Sequence, residues 1–221
     1  MRINRYLALH KFSTRRGADE LIKAGKVKIN GRVAALGDQV LEPDRVSVDE
    51  QAMARIQKHY VYFAYHKPMG VVTESLVDTR AGVFPVGRLD QASRGLLILT
   101  NDGRVTDRLL NPIYDHEKEY IVTVNKPLKS RDLTRLAKGV KIEDGITRPA
   151  RVTELGATRF SIALTEGKKH QIRRMVTALG CEVVDLERVR VMNVRLGSQT
   201  PGTRRALAGK ELADFLRAIG L

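Results

Sequence analysis

Cysteine, acidic residues and long apolar runs are all scarce in this chain of 221 residues. The one cysteine, Cys181, excludes an internal disulfide and any cysteine-based zinc site. It reads as a buried, inert thiol packed as a small hydrophobe. The five histidines are scattered, and no pair has the spacing of metal ligands on one helix face. No apolar run approaches the roughly 20 residues that span a bilayer. The basic start, MRINRYLALHKFSTRRG, has no long apolar core and no small-residue cleavage site, so no signal peptide is predicted. A cytoplasmic protein without membrane contact is the expectation.

The shortage of acids is matched by an excess of cations. Lys and Arg number 39 against 25 Asp and Glu, a net charge of +14. Such an excess is held by a polyanion or tolerated as self-repulsion. The charge is clustered, and no basic amphipathic helix suits a membrane surface, so nucleic acid is the favoured partner. An apolar fraction of 43% and this length suit one or two folded domains.

Residues 1–35 carry nine Lys or Arg and two acids. RINRYLALHK places Ile3, Tyr6, Leu7 and His10 on one helical face. Ser13 or Thr14 can cap a second helix, TRRGADELIKAG, which buries Ala18, Leu21 and Ile22 and stops at Gly25. Asn30-Gly31 is a tight hairpin signal between short alternating strands. The first 50 or so residues therefore read as two helices on a small sheet, with Arg5, Lys11, Arg15, Arg16, Lys23, Lys26 and Lys28 as a basic face. The pattern RINRYLA…STRRGADELIKAGKVKINGRVA resembles the S4 RNA-binding domain.

Polar residues 50–59 read as a linker, dividing the chain into 1–57 and 58–221. Beyond it, YVYFAYH begins as a strand and is broken at His66-Lys67-Pro68-Met69-Gly70. Further strands are expected at GLLILT, YIVTV, RVTELG and FSIALT. Helices are expected at 105–110, 130–138, 169–179 and 210–219. Elements are mixed without strict alternation, which predicts an α+β domain with a mixed, mostly antiparallel sheet.

One carboxylate stands out. In GRLDQASRGLLILTNDG, Asp90 sits in the loop leading into a buried strand. By pattern it is either a turn residue or a reactive group held on a rigid sheet. The stretch FPVGRLDQASRGLLILTNDG resembles the signature of the pseudouridine synthases that modify ribosomal RNA, in the branch of the small-subunit enzyme A and the large-subunit enzymes B, E and F. HKPMG (66–70) resembles the Lys-Pro-x-Gly loop of that branch, EKEYIVTV (117–124) its Lys-x-Tyr strand, and LTEGKKHQIRRMVTALG (164–180) its third motif. LERVRVMNVRL (186–196) and Ser93 resemble synthase F of the large subunit most. The branch often has Thr-Glu before GLL, where this chain has Ser93-Arg94.

The resemblance implies an S4-like domain followed by a catalytic domain that turns specific uridines of structured RNA into pseudouridine, with no cofactor or metal. It implies ribosomal RNA of the large subunit as substrate, with small-subunit or transfer RNA as alternatives, and a monomer. Asp90 becomes the reacting carboxylate, as a nucleophile on sugar or base or as an aid to elimination, Arg173 its guanidinium partner by forked hydrogen bonds, and Tyr120 the ring stacked on uracil. Arg88 resembles the residue that fills the place of the extruded base. Arg174 points elsewhere, to backbone phosphate or solvent, and counts with Arg88 and the basic face among the RNA-binding residues. A non-catalytic RNA-binding or ribosome-assembly protein is the competing class, and has no use for Asp90, Tyr120 and Arg173 together. Glycoside hydrolysis wants two flanking carboxylates, and the motifs offer one.

Overall fold

The computed structural model describes residues 1–10, 12–13, 15–49, 60–78 and 82–221, with the side chain of Arg16 left aside. The expected linker at 50–59, the division at 57/58, Lys11 and the Thr14 cap lie outside the described residues. The chain forms two compact units, Met1–Tyr60 with Asp102–Arg104, and Val61–Asn101 with Val105–Leu221. No helix among the described residues is long and apolar enough to cross a membrane.

The first unit holds helices α1 (Ile3–Leu9) and α2 (Arg15–Lys23) and strands β1 (Val27–Ile29), β2 (Arg32–Val33) and β3 (Val46–Val48). The strands pair antiparallel in the order β2-β1-β3. Ile3 and Leu7 enter the core with Ala18, Leu21 and Ile22, as the helical spacing requires. Tyr6 is only half-buried, its ring stacked on exposed His10 with centroids 4.1 Å apart. After α2, Gly25 takes φ +68° while Gly25 N donates to Ile22 O and Lys26 N to Leu21 O. That pair of bonds is a Schellman closure, which satisfies the last carbonyls of the helix. Asn30 and Gly31 both have positive φ, 50° and 84°, giving the two-residue turn that suits the twist of a hairpin.

The second unit is built on a nine-stranded sheet. Its strands are β4 (Tyr62–Lys67), β5 (Phe84–Val86), β6 (Arg94–Thr100), β7 (Lys118–Val124), β10 (Arg151–Gly156), β11 (Arg159–Leu164), β12 (Val183–Val191), β13 (Val194–Arg195) and β14 (Arg204–Ala206). A separate hairpin joins β8 (Lys141–Ile142) to β9 (Gly145–Ile146). The order is β10-β11-β7-β12-β6-β4-β14, with β13 on β12 and β5 on β6. Every pairing is antiparallel except β12 with β6, which is parallel and rests on Glu187↔Arg94 and Arg188↔Gly95. The expected fold class, α+β with a mixed and mostly antiparallel sheet, is the one observed.

That parallel seam explains Gly95. Its φ is +111°, and a Cβ there would lie 2.3 Å from the Arg188 carbonyl oxygen and 2.5 Å from its nitrogen. Only a residue without a side chain lets the two backbones meet. Arg94, the departure from the family pattern, clamps the same seam. Its Nε and Nη2 donate to the two carboxylate oxygens of Asp185 at 3.0 and 2.8 Å, and Nη1 pairs with Glu187.

Among the described residues, four α-helices serve this unit: α3 (Arg104–Leu110), α4 (Ser130–Lys138), α5 (Gln171–Thr177) and α6 (Gly209–Ala218). The main core joins Val122, Phe160 and Ile162 of the sheet to Leu136 of α4 and to Ile172, Met175 and Val176 of α5. Cys181 is buried there, as expected. The helix expected from 169 begins two residues later. His170 has φ 51°, a left-handed backbone, so Lys169 and His170 belong to a turn and α5 starts at Gln171.

Candidate active site

The segment between β5 and β6 carries Asp90, and its backbone is held by hydrogen bonds from several elements. Thr73 Oγ1 donates to Leu89 O at 2.7 Å and accepts from Leu89 N at 3.2 Å. Gly70 N donates to Gln91 O at 2.8 Å, and Gln91 Nε2 to Gly70 O at 3.0 Å. Ser93 N closes a turn onto Asp90 O at 2.9 Å. Lys67, at the end of β4, is fully buried and donates to Ser93 O at 2.7 Å and Pro68 O at 3.0 Å. A loop so tied holds its one carboxylate in a fixed place. The strand that follows is buried from Gly95 to Thr100, which fixes the loop to the core of the sheet.

Arg173 grips the same loop, but not as expected. Its Nη2 donates to Ala92 O at 2.9 Å and to Ser93 Oγ at 3.2 Å, and its Nη1 to Val183 O at 3.4 Å. Among the described residues no Asp90–Arg173 ion pair forms within 4 Å. The forked guanidinium–carboxylate bond is therefore corrected. Arg173 donates instead to a backbone and a hydroxyl oxygen two and three residues beyond Asp90. Among the described residues, the ring that approaches Asp90 is that of His170, whose Nε2 lies 3.5 Å from Asp90 Oδ1. The left-handed backbone at His170 is a strained one for a non-glycine residue, of the kind found at working sites.

Asp90 opens onto a cleft of about 700 Å³. Arg88, Asp90, Tyr120, Lys118, His170 and Arg188 are among its walls. Tyr120, half-buried on β7, stands opposite Arg188 of β12 in the sheet register, and Arg188 stands opposite Gly95 of β6. Arg188 is itself buried and donates from Nε to Leu96 O at 2.7 Å and from Nη1 to Arg88 O at 3.5 Å. Burial pulls the Lys67 ammonium below the ordinary lysine range, and Asp90 partly restores it. Burial also lowers Lys118, and the nearby Arg188 charge adds to that. The cleft thus joins two carboxylates, Asp90 and Glu166, and the Tyr120 phenol to several Lys and Arg side chains, a cationic excess that suits an anionic, planar ligand.

The structure brings Asp90, Tyr120 and Arg88 into one cleft and puts Arg173 behind the loop. Arg88 is largely exposed and pairs with Glu74 at 3.0 Å. Arg174 turns away to the β8–β9 hairpin, where its Nη2 bonds Asp144 Oδ2 at 2.6 Å. In the first unit, Arg5, Arg15, Lys23, Lys26 and Lys28 are exposed, with Lys26 held to Asp49 at 3.0 Å. Lys11 and the Arg16 side chain lie outside the described residues.

Sequence patterns alone give no role to Lys67, Lys118, His170 or Arg188. Two signals existed: a lysine directly before a proline at the end of a strand with alternating burial, and arginines at alternate positions of VVDLERVRV.

Comparison with known proteins bears on this geometry. The RNA pseudouridylate synthase family matches residues 60–178, and the S4 domain matches residues 1–46. The dual-specificity RNA pseudouridine synthase RluF of Escherichia coli (strain K12) is 38% identical over 230 residues, covering 99% of this chain and 79% of that one. The ribosomal large subunit pseudouridine synthase B of Bacillus subtilis (strain 168) is 33% identical over 237 residues, covering 99% and 96%. A crystal structure of a pseudouridylate synthase superposes with a TM-score of 0.71 at 28% identity, covering 99% of each chain. The family model, the S4 match and relatives aligned over nearly the whole chain agree: it belongs to the RNA pseudouridine synthases, enzymes that isomerise uridine in RNA to pseudouridine.

Proposed function

We propose that the substrate is ribosomal RNA of the large subunit and that Asp90 is the reacting carboxylate. The observation that carries this is the Asp90 side chain, partly exposed on a rigid loop, at the wall of a cleft of about 700 Å³. A cleft of that size suits one nucleotide. In the reaction the bond from N1 of uracil to the sugar C1′ breaks, and the base turns. C5 then bonds to C1′, a proton leaves C5, and N1 ends with a proton. Atoms balance without any second substrate.

The sugar carbon becomes electron-poor as its bond to nitrogen breaks, so the Asp90 carboxylate stands where positive charge develops. Tyr120 lies under the base, holds it by stacking and takes part in removal of the C5 proton. Arg173 acts through Ala92 and Ser93, keeping the Asp90 loop in place. Extrusion of the uridine costs a few kcal/mol, and Arg88, exposed on the same loop, fills the vacated place in the stack.

Residues 1–57 act as the RNA anchor and 58–221 as the catalytic domain. Arg5, Lys11, Arg15, Arg16, Lys23, Lys26 and Lys28 supply phosphate contacts, so affinity falls steeply as salt rises. The enzyme works as a monomer in the cytoplasm. The relative named dual-specificity favours a second reading, in which more than one RNA is modified, with a transfer RNA or small-subunit ribosomal RNA as the further substrate.

Mapping pseudouridine in total RNA from cells with and without the gene tests the target: a site in large-subunit RNA is lost on deletion. Modification lost only elsewhere overturns the choice of RNA. Purified Asp90→Asn binds RNA nearly as well as the parent and forms no product; turnover by that variant removes Asp90 from its role.

A further inference from the structure

Between α3 and β7 the chain makes a 3₁₀ turn, Pro112–Tyr114, that no step of the reaction uses. It carries large side chains into solvent: Ile113 is 72% exposed, Tyr114 48%, and Leu110 just before it 37%. Apolar side chains gathered at one spot of a strongly charged protein mark a contact surface.

This spot is rigid. The Asn111 side chain accepts from Ile113 N at 3.2 Å, and Tyr114 N donates to Asn111 O at 3.2 Å. Asp115 ends the turn in a left-handed backbone. Arg148 Nη1 ties it down through Asp115 Oδ1 at 2.5 Å and Pro112 O at 3.4 Å. The Tyr114 ring lies near that of His116, centroids 5.8 Å apart and planes 22° from parallel. A ring already held loses little freedom when a second ring lies on it.

The spot is also continuous with the active site. Leu110 and Pro112 line the cleft that Asp90 and Tyr120 line. Leu110 covers Gly87, at the start of the Asp90 loop, with its Cδ2 2.9 Å from where a glycine Cβ would be built. The wall of the cleft therefore runs from Asp90 over Gly87 and Leu110 to Pro112, and Ile113 and Tyr114 follow directly at its rim. RNA is the one large partner this enzyme must hold at that wall, and every base offers a flat face to an aromatic ring.

We propose that Ile113 and Tyr114 form a stacking platform for the base of a nucleotide flanking the target uridine. The platform lets the enzyme hold an unpaired neighbour while the target itself is extruded. It rests on the Asp90 cleft being the uridine site, and it adds a second base-binding position outside that cleft.

The test uses the full chain and a large-subunit ribosomal RNA stem-loop containing the uridine lost on gene deletion. 2-Aminopurine replaces each neighbour of that uridine in turn. With the parent enzyme, its fluorescence is quenched at one flank on binding. In Tyr114→Ala the quench is lost and KM rises about 5- to 150-fold, the range of one lost base stack, while kcat changes less than about twofold. Tyr114→Phe keeps both the quench and KM, and Ile113→Ser raises KM in the same sense. Thermal melts of the three variants match the parent, since the side chains are exposed. Turnover by the parent with Tyr114→Ala unaltered in KM overturns the platform alone, as does 2-aminopurine silent at both flanks. No product from the parent, or turnover by Asp90→Asn, overturns the cleft assignment, and the platform falls with it.

Discussion

Lys67 and Ser93 meet through a hydrogen bond of 2.7 Å, from a fully buried ammonium to a backbone carbonyl three residues beyond Asp90. A buried lysine is costly unless paired, and this one has two carbonyls and the Asp90 charge to offset the loss of water. Lys67→Met leaves both carbonyls without that donor and frees the loop. The expected result is a loss of about 2 kcal/mol in stability. The kcat should fall at least about tenfold, the scale of effect when a supporting contact is lost, with little change in RNA affinity. Single-turnover kinetics and urea melts measure the two parts. Linkage gives a further sign. Lys67 has a folded-state pKa below the usual 10.5, so the unfolded chain holds that proton more tightly. Parent stability therefore rises relative to Lys67→Met as pH climbs from the lowered value toward 10.5, and an opposite trend contradicts the burial.

Gly95→Ala tests the parallel seam. The new Cβ meets the Arg188 backbone at 2.3 Å, and φ +111° strains any L-residue. β6 and β12 must part or shift, at a cost of about 3 kcal/mol, near the upper end for single substitutions. Activity should fall with it, because the seam also sets Arg188 beneath the Asp90 loop. A variant that melts within a degree of the parent would mean that the two strands are not so closely joined.

Arg190, nearly buried on β12, bonds Glu119 Oε2 at 2.7 Å, Glu117 Oε2 at 2.8 Å and Met192 O at 2.7 Å. Arg190→Met leaves two carboxylates facing each other. We expect a loss of about 2 kcal/mol, below the figure for a fully buried pair because Glu117 still reaches solvent. The Arg190 hydrogen bond holds the Glu117 carboxyl below its usual 4.5. Its contribution is complete above pH 4.5 and is lost as pH falls through the lowered value. The gap between parent and variant should close at acid pH; a gap that widens there has the sign wrong.

Arg174 is committed to Asp144 at 2.6 Å, so its charge is largely spent. Arg174→Ala should change RNA affinity less than about twofold and leave the salt slope as it was, since each phosphate contact adds about one unit to that slope. A slope reduced by one unit would return Arg174 to the RNA-binding set.

Much of this was readable from residue patterns where local rules and tertiary structure agree. GLLILT, RVTELG and the helix over 130–138 fall where period and turn residues place them. Asn30-Gly31 behaves as its backbone freedom demands. β12 was the element without a clear signal. Its inward residues include Arg188 and Arg190, which reverses the usual pattern of polar side chains facing out. They turn inward because Leu96 O, Glu117 and Glu119 wait there, partners that lie about 70 to 90 residues away in the chain. The same limit applies to Arg173. The motif brought it to the Asp90 loop, but whether its fork meets a carboxylate or a carbonyl depends on loop geometry that no spacing encodes.

β12 lies between β7, which carries Tyr120, and β6, which follows Asp90. Ribosomes make the chain from its N-terminus, so this middle strand emerges after both of the strands that flank it. A nascent chain that has reached residue 180 already holds Asp90, Tyr120 and Arg173, yet has nothing to join the two halves on which they stand. The floor of the cleft therefore closes only after its walls have been made, when the strand that was hardest to recognise slides into the gap.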